Sequence, residues 1–176
     1  MDAGLLILRV VVGLVIAAHG GQKLFGWFGG HGLQGTAGWL ESMGFRPGRV
    51  HAPLTGIAEF GGGISLALGF LTPLGAAAVI GVMAVAIATV HASNGFFNTN
   101  GGYEFNLTLM AAAIALAFAG PGSWSLDYAL DLDLFGTGWG AAALGLAIVA
   151  SIAALGSREE QPVAEAANEV AQDRAA

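Results

Sequence analysis

His19, Lys23, Glu59, His91, Asn94 and Glu104 are the side chains of this 176-residue sequence best placed to do chemistry. Each lies within or against a run of apolar residues. An ionisable group at the centre of a membrane costs at least about 2.5–3.5 kcal/mol, so it needs a partner or a function. Histidine titrates near neutrality and burial pushes a carboxyl group toward the same range, which makes His19, His91 and Glu59 candidates for proton handling. Lys23, Asn94 and Glu104 are ligand-binding candidates beside them. His19, Glu59, His91 and Glu104 also carry donor atoms for zinc, iron or manganese, and two histidines suffice for haem. Their spacing is not diagnostic of a metal, because each falls on a different helix. Structural roles compete. Glu59 could pair with Lys23 or a histidine to hold helices together. Glu104 could serve a helix start, where the macrodipole favours an anion. His31 and His51 read as interfacial loop residues. No motif assigns a catalytic residue.

The elements that position these groups are marked by the apolar runs. Nearly uncharged runs of about 18 or more residues read as membrane helices. They predict helices over 5–24, 53–71, 74–91, 105–119 and 139–155. Pro53 is placed at the start of the second, where its missing N–H costs nothing. Thr72-Pro73 breaks the second from the third in a tight hairpin, and Gly120-Pro121-Gly122 ends the fourth. At 1.5 Å per residue the fourth spans only about 22 Å, so it has to recruit Tyr103 and Glu104 or sit against its neighbours. The first run starts with Asp2 rather than a lysine and lacks a small-residue cleavage site, so it reads as a helix and not a signal peptide. In the long loop 25–52, Leu33, Ala37, Leu40 and Gly44 recur at helical spacing, which predicts a short helix in the membrane interface. The fold class expected is an all-α integral membrane protein, a four-helix bundle plus a fifth helix. The core covers 1–130, the added membrane helix lies within 131–156, and an acidic, disordered tail follows over 157–176.

Alternating helix directions bring the polar groups to one level. His19 and Lys23 end helix one. His51 precedes helix two, and Glu59 lies about two turns inside it. His91 closes helix three, Asn94 follows, and Glu104 opens helix four. Small residues on the same faces, such as Gly13 and Gly20 or Gly56 and Gly63, predict close packing. Arg9 falls near the opposite end, where it is expected to pair with Asp127, Asp131 or Asp133 or to snorkel. With five spans, Lys23, Arg46, Arg49, Arg158 and Arg174 share one side, and the positive-inside rule puts that side and the tail in the cytoplasm.

Composition supports this class and excludes others. Charged residues make up 10% of the chain and hydrophobic ones 55%, whereas a soluble domain is about 25% charged. The absence of cysteine excludes disulfide scaffolds, thiol redox chemistry and cysteine-ligated metals. Six basic residues are too few and too scattered to grip nucleic acid. The net charge of −6 arises from Asp127, Asp131, Asp133 and the tail, because acids and bases balance up to Gly120. The stretch from Asp131 to Gly136 is no calcium loop, since Phe135 takes an oxygen-ligand position.

Several strings, in this order and spacing, carry a family resemblance. They are His19-Gly20-Gly21-Gln22-Lys23-Leu24-Phe25-Gly26, Glu59-Phe60-Gly61-Gly62-Gly63, Leu71-Thr72-Pro73, and Ala88-Thr89-Val90-His91-Ala92-Ser93-Asn94-Gly95-Phe96-Phe97. Gly101-Gly102-Tyr103-Glu104 and Gly120-Pro121-Gly122-Ser123-Trp124-Ser125-Leu126-Asp127 complete the set. The chain resembles the DoxX family of small bacterial membrane proteins. The resemblance implies a four-helix core in the bacterial inner membrane. It also implies association with quinone-linked oxidation or with membrane assemblies that handle oxidative stress and sulfur chemistry. The sequence departs from the family pattern after Leu130. Three readings follow. One is a subunit of a redox complex with a quinone beside His19, Glu59 and His91, in a slot lined by Phe25, Phe96, Phe97 and Tyr103. The second is a metal or haem protein, and the third is a non-enzymatic lipid binder or scaffold for partner proteins.

Overall fold

The structure is a computed structural model and describes residues 2–159. The acidic tail expected beyond Ser157 lies almost wholly outside the described residues. The α-helices are α1 (Asp2–Phe25), α2 (Gly32–Ser42), α3 (Gly48–Leu68), α4 (Thr72–Ala86), α5 (Glu104–Ala119), α6 (Leu126–Ala129) and α7 (Thr137–Gly156). Three stretches among the described residues are long and apolar enough to cross a membrane: α1, α4 with its extension to Asn94, and α7. The helix α5 is apolar but shorter.

Glycine lets α1 and α3 touch backbone to backbone. A Cβ at Gly13 would lie 2.4 Å from the Gly63 carbonyl oxygen, and one at Gly63 would lie 2.5 Å from that of Gly13. Any side chain there would force the helices apart. The helix α4 is the shared wall of the bundle, packed against α3, α5 and α7. Its Ala76, Ala77 and Val79 are buried with Ile16 of α1, Leu66 of α3, Leu116 of α5 and Ala147 of α7. The outer faces stay apolar, as Ile7, Val11, Ile57, Ile148 and Ile152 show by their exposure.

Two helix boundaries differ from the sequence expectation. The helix α3 begins at Gly48, a turn and a half before Pro53, so that proline lies inside the helix. It removes a single intrahelical hydrogen bond near the start, where the loss is small. The third apolar run does not stay α-helical to its end. A π-helical turn over Ile87–His91 and a 3-10 turn over Ala92–Asn94 extend α4. Thr89 Oγ1 donates back to the Val85 carbonyl at 2.8 Å there.

The α3–α4 hairpin is held from outside. Gly69 ends α3 in the left-handed region at φ 62°. Gly69 N–H donates to Leu66 O at 3.0 Å and Phe70 N–H to Ser65 O at 2.9 Å, which satisfies two of the last carbonyls. Arg9 Nη1 donates to a third, Ala67 O, at 2.8 Å. Its Nη2 donates to Trp124 O. At the start of α4 the capping position is Leu71, which has no side-chain oxygen and sits at φ 50°. Asp127 supplies the cap instead. Its Oδ1 accepts Leu71 N–H at 2.7 Å, and its Oδ2 accepts Thr72 N–H at 3.0 Å and Thr72 Oγ1–H at 2.6 Å. Arg9 and Asp127 therefore meet the same hairpin, as their shared end predicts, but Arg9 serves backbone carbonyls and Asp127 serves backbone N–H groups and the Thr72 hydroxyl. Among the described residues, Arg9 closes no ion pair with Asp127, Asp131 or Asp133, and Asp131 and Asp133 are exposed. At 2% exposure Arg9 does not snorkel either.

Candidate functional site

At the opposite end of the bundle, small side chains leave a gap where four helices meet. Ala77, Ala78 and Gly81 of α4 face Ala150, Ala153 and Ala154 of α7, and α2 and α3 close the other sides. The result is an apolar cleft of about 470 Å³, a size that suits a small organic molecule. Trp39, Leu40, Met43 and Phe45 supply its bulky walls. The cleft runs along the helices, since its lining goes from His51 to Glu59 on α3 and from Ser157 back to Ala150 on α7. Eight residues of α-helix separate His51 from Glu59, a distance of about 12 Å.

Glu59 is the carboxylate built into the wall of this cleft, beside Lys23. It is 2% exposed. Oε1 takes the ammonium of Lys23, which reaches across from the last turn of α1. Oε2 is buried and has no hydrogen-bond partner among the described residues. A carboxylate has room for several donors, and a buried acceptor without one costs about 1–3 kcal/mol. The pairing of Glu59 with Lys23 matches the structural role considered from sequence.

Sequence reasoning missed His51. The residue lines the cleft, with its ring centroid 5.5 Å from that of Phe45. His51, Thr55 and Glu59 stand at four-residue intervals and form one stripe of α3 along the cleft. Placing the helix start at Pro53 cut His51 out of that stripe.

The other candidates share this end of the bundle but not this cleft. His19 is exposed and packs its ring 6.1 Å from that of Phe105. His91 Nδ1–H donates to the Gly101 carbonyl at 2.7 Å, and Asn94 Nδ2 donates to the same oxygen at 3.3 Å and to Val90 O at 3.2 Å. These two side chains pin the loop between α4 and α5. Glu104 stands in the first turn of α5, as its macrodipole role requires. The π turn and the loop hold His91 and Glu104 away from the cleft wall. Among the described residues, no three histidines or carboxylates gather closely enough to hold a metal. The four-residue donor set is therefore not assembled, because its members sit on separate faces. The aromatic slot also divides. Phe25 clusters with Trp27 and Phe60, and Phe96 clusters with Phe97 and Tyr103. Neither cluster lines the cleft, whose aromatics are Trp39 and Phe45.

The end of α7 beside the cleft is fastened. Arg158 Nε donates to Met43 O at 2.5 Å, and Glu159 N–H donates to Gly44 O at 2.8 Å. Arg46 lies 3.6 Å from the Glu159 carboxylate. The end of α7 is thereby clasped to the turn between α2 and α3.

Comparison with known proteins places this architecture. No solved structure matches the chain. The inner membrane protein YqjF of Escherichia coli (strain K12) is 35% identical over 71 residues, which are 40% of this chain and 48% of that protein. The chain thus matches about half the length of this curated relative. The DoxX family model matches residues 4–92, half of the chain, and takes in Lys23, Trp39, His51, Glu59 and the α4 wall. The chain belongs to the DoxX family of membrane proteins.

Proposed function

We propose that the chain is a multi-pass protein of the bacterial inner membrane that holds a small apolar, quinone-like ligand in the α2–α3–α4–α7 cleft. In this reading it is an accessory subunit of a membrane oxidoreductase or oxidative-stress system. Electrons come from a partner protein or a bound cofactor. The carrying observation is an apolar cleft of about 470 Å³ whose lining includes a buried carboxylate with one unpartnered oxygen. Apolar walls accept a ring and tail, and Lys23 and Glu59 give the ring substituents polar partners. The similarity to the inner membrane protein YqjF supports the membrane assignment. The same reading takes α1, α3, α4, α5 and α7 as spans, with the clasped end and the tail in the cytoplasm. Lys23, Arg46, Arg49 and Arg158 at that end support it. The domain reading follows, with a four-helix core to residue 130 and α7 as an added span.

The test is direct. The full chain is purified in mild detergent, its co-purifying small molecules are identified by mass spectrometry, and a decyl-chain benzoquinone is titrated by calorimetry. Saturable binding at one per chain, lost in Ala154→Trp, is expected, because that indole fills the cleft from α7. Absence of saturable binding in both redox states of the probe, with only phospholipid recovered, overturns the quinone reading in favour of a lipid-binding scaffold.

A further inference from the structure

We infer, resting on the quinone-like reading above, that the cleft opens sideways to the bilayer between α3 and α7 and that its ligand is a neutral-headed, long-chain lipid. The ring of that lipid enters through the gap, and its chain stays outside among the membrane lipids.

The helices α3 and α7 both pack on α4 but scarcely touch each other. Their walls end in exposed apolar rims, Leu54 on α3 and Ala150 and Ala153 on α7, and all three residues line the cleft. Between the rims lies the α4 floor, where Val82 and Val85 are only half-buried. The alanines of α7 are too short to bridge the gap. Just beyond the rims, Ile57 and Ile152 are 60% and 66% exposed. Floor, rims and outer faces therefore form one continuous apolar surface, and on membrane spans such a surface is met by lipid chains. The clasp of Arg158 and Glu159 on Met43 and Gly44 limits how far the end of α7 swings from α3.

The lining also sets the class of lipid. Hydroxyls on the α4 and α7 side are occupied by backbone carbonyls. Thr89 Oγ1 donates to Val85 O at 2.8 Å, Ser151 Oγ to Ala147 O at 2.7 Å and Ser157 Oγ to Ala154 O at 2.7 Å. Lys23, Thr55 and His51 stand on the α1 and α3 side. A ring with polar substituents therefore faces α1 and α3, and its chain runs out over the alanines of α7. Lys23 is the sole lysine or arginine in the lining and is paired with Glu59. No unpaired lysine or arginine is there to hold a phosphate group, which favours a neutral headgroup over a phospholipid. A cleft of about 470 Å³ suits a drug-sized molecule. A ring together with a long chain exceeds it, so the chain has to leave by the open side.

The experiment uses the unmodified full chain in phosphatidylcholine vesicles, part of whose lipid carries a diazirine in mid-chain. After photolysis, adducts are mapped by mass spectrometry. They are expected at Val82 and Val85 on the floor as well as at Ile57 and Ile152 on the outer faces. Decyl benzoquinone at a saturating dose is expected to lower the floor adducts at least about fivefold and to leave the outer ones unchanged. The same probe with a pyrene on its chain end is expected to protect equally, because that end lies in the bilayer. Outer adducts without floor adducts overturn the sideways opening and leave the cleft reading standing. Floor adducts that decyl benzoquinone does not reduce make the occupant a phospholipid chain, and the quinone reading fails with the ligand class inferred here. Protection by decyl benzoquinone that is lost with the pyrene probe shows an enclosed chain and overturns its exit between α3 and α7.

Discussion

Asp127 shows how one side chain stabilises an element far from it in sequence. It is 1% exposed, and three donors at the start of α4 converge on it. Asp127→Ala is expected to lower stability by about 1–3 kcal/mol, because the cap is lost and two backbone N–H groups, the Thr72 one buried, lose their acceptor. Asp127→Asn keeps one acceptor oxygen and is expected to cost about half as much. Thermal unfolding of the two variants in the same detergent checks the order; equal losses would mean that packing and not the cap matters. Glu59 was readable from the sequence as the charged group with the most to explain. Its direct partner was readable too, because Lys23 ends the neighbouring helix. What could not be read was the orphan oxygen, which is buried without a hydrogen-bond partner among the described residues. His91 and Asn94 looked like ligands because polar groups at an apolar boundary always do. Only the folded loop shows that both are occupied by the Gly101 carbonyl.

At the scale of elements, the apolar runs located every long helix, and the 33–44 periodicity located α2. The misses have one cause each. Pro53 reads as a helix start because proline is common there, yet α3 already makes a turn of its own from Gly48. The π turn at Ile87 follows from local hydrogen bonding that hydropathy does not register. The glycine contact between α1 and α3 makes a sharp prediction. Gly63→Val places a branched side chain where the Gly13 carbonyl lies 2.5 Å from the first carbon. The expected result is a loss of more than about 3 kcal/mol or failure to recover folded protein, as overpacking against backbone cannot relax by a rotamer change. Gly61→Ala, a neighbour with open space around its Cβ, is expected to leave thermal stability within about 1 kcal/mol of the parent. Similar losses in both would show that the close approach is not what holds these helices. The clasp between the end of α7 and the α2–α3 turn is also an element-scale device. Arg158→Ala is expected to raise the off-rate of any cleft ligand while leaving the melting temperature nearly unchanged, a pairing that stopped-flow release and a thermal scan read separately.

At the scale of the whole molecule, the two ends of the bundle differ in kind. One end is sealed by Arg9 and Asp127 on backbone groups, and the other holds the cleft, the ion pair and most of the basic residues. The topology proposed here predicts that Asp131→Cys, at the sealed end, is labelled by an impermeant maleimide in intact cells, whereas Arg46→Cys is labelled only after permeabilisation. The native chain contributes no background, having no cysteine. Labelling of both positions from outside would remove the five-span arrangement.

The borrowed cap has a consequence for synthesis. During translation, the α3–α4 hairpin leaves the ribosome long before Asp127 does, so the Leu71 and Thr72 N–H groups emerge before the carboxylate that caps them. The Trp124 carbonyl that takes Arg9 arrives equally late. The stretch matched by the family model, 4–92, therefore contains the Glu59 site but not the groups that finish its own far end. A fragment stopped at Asn100 would leave Arg9 and the start of α4 without the carbonyl and carboxylate that complete them.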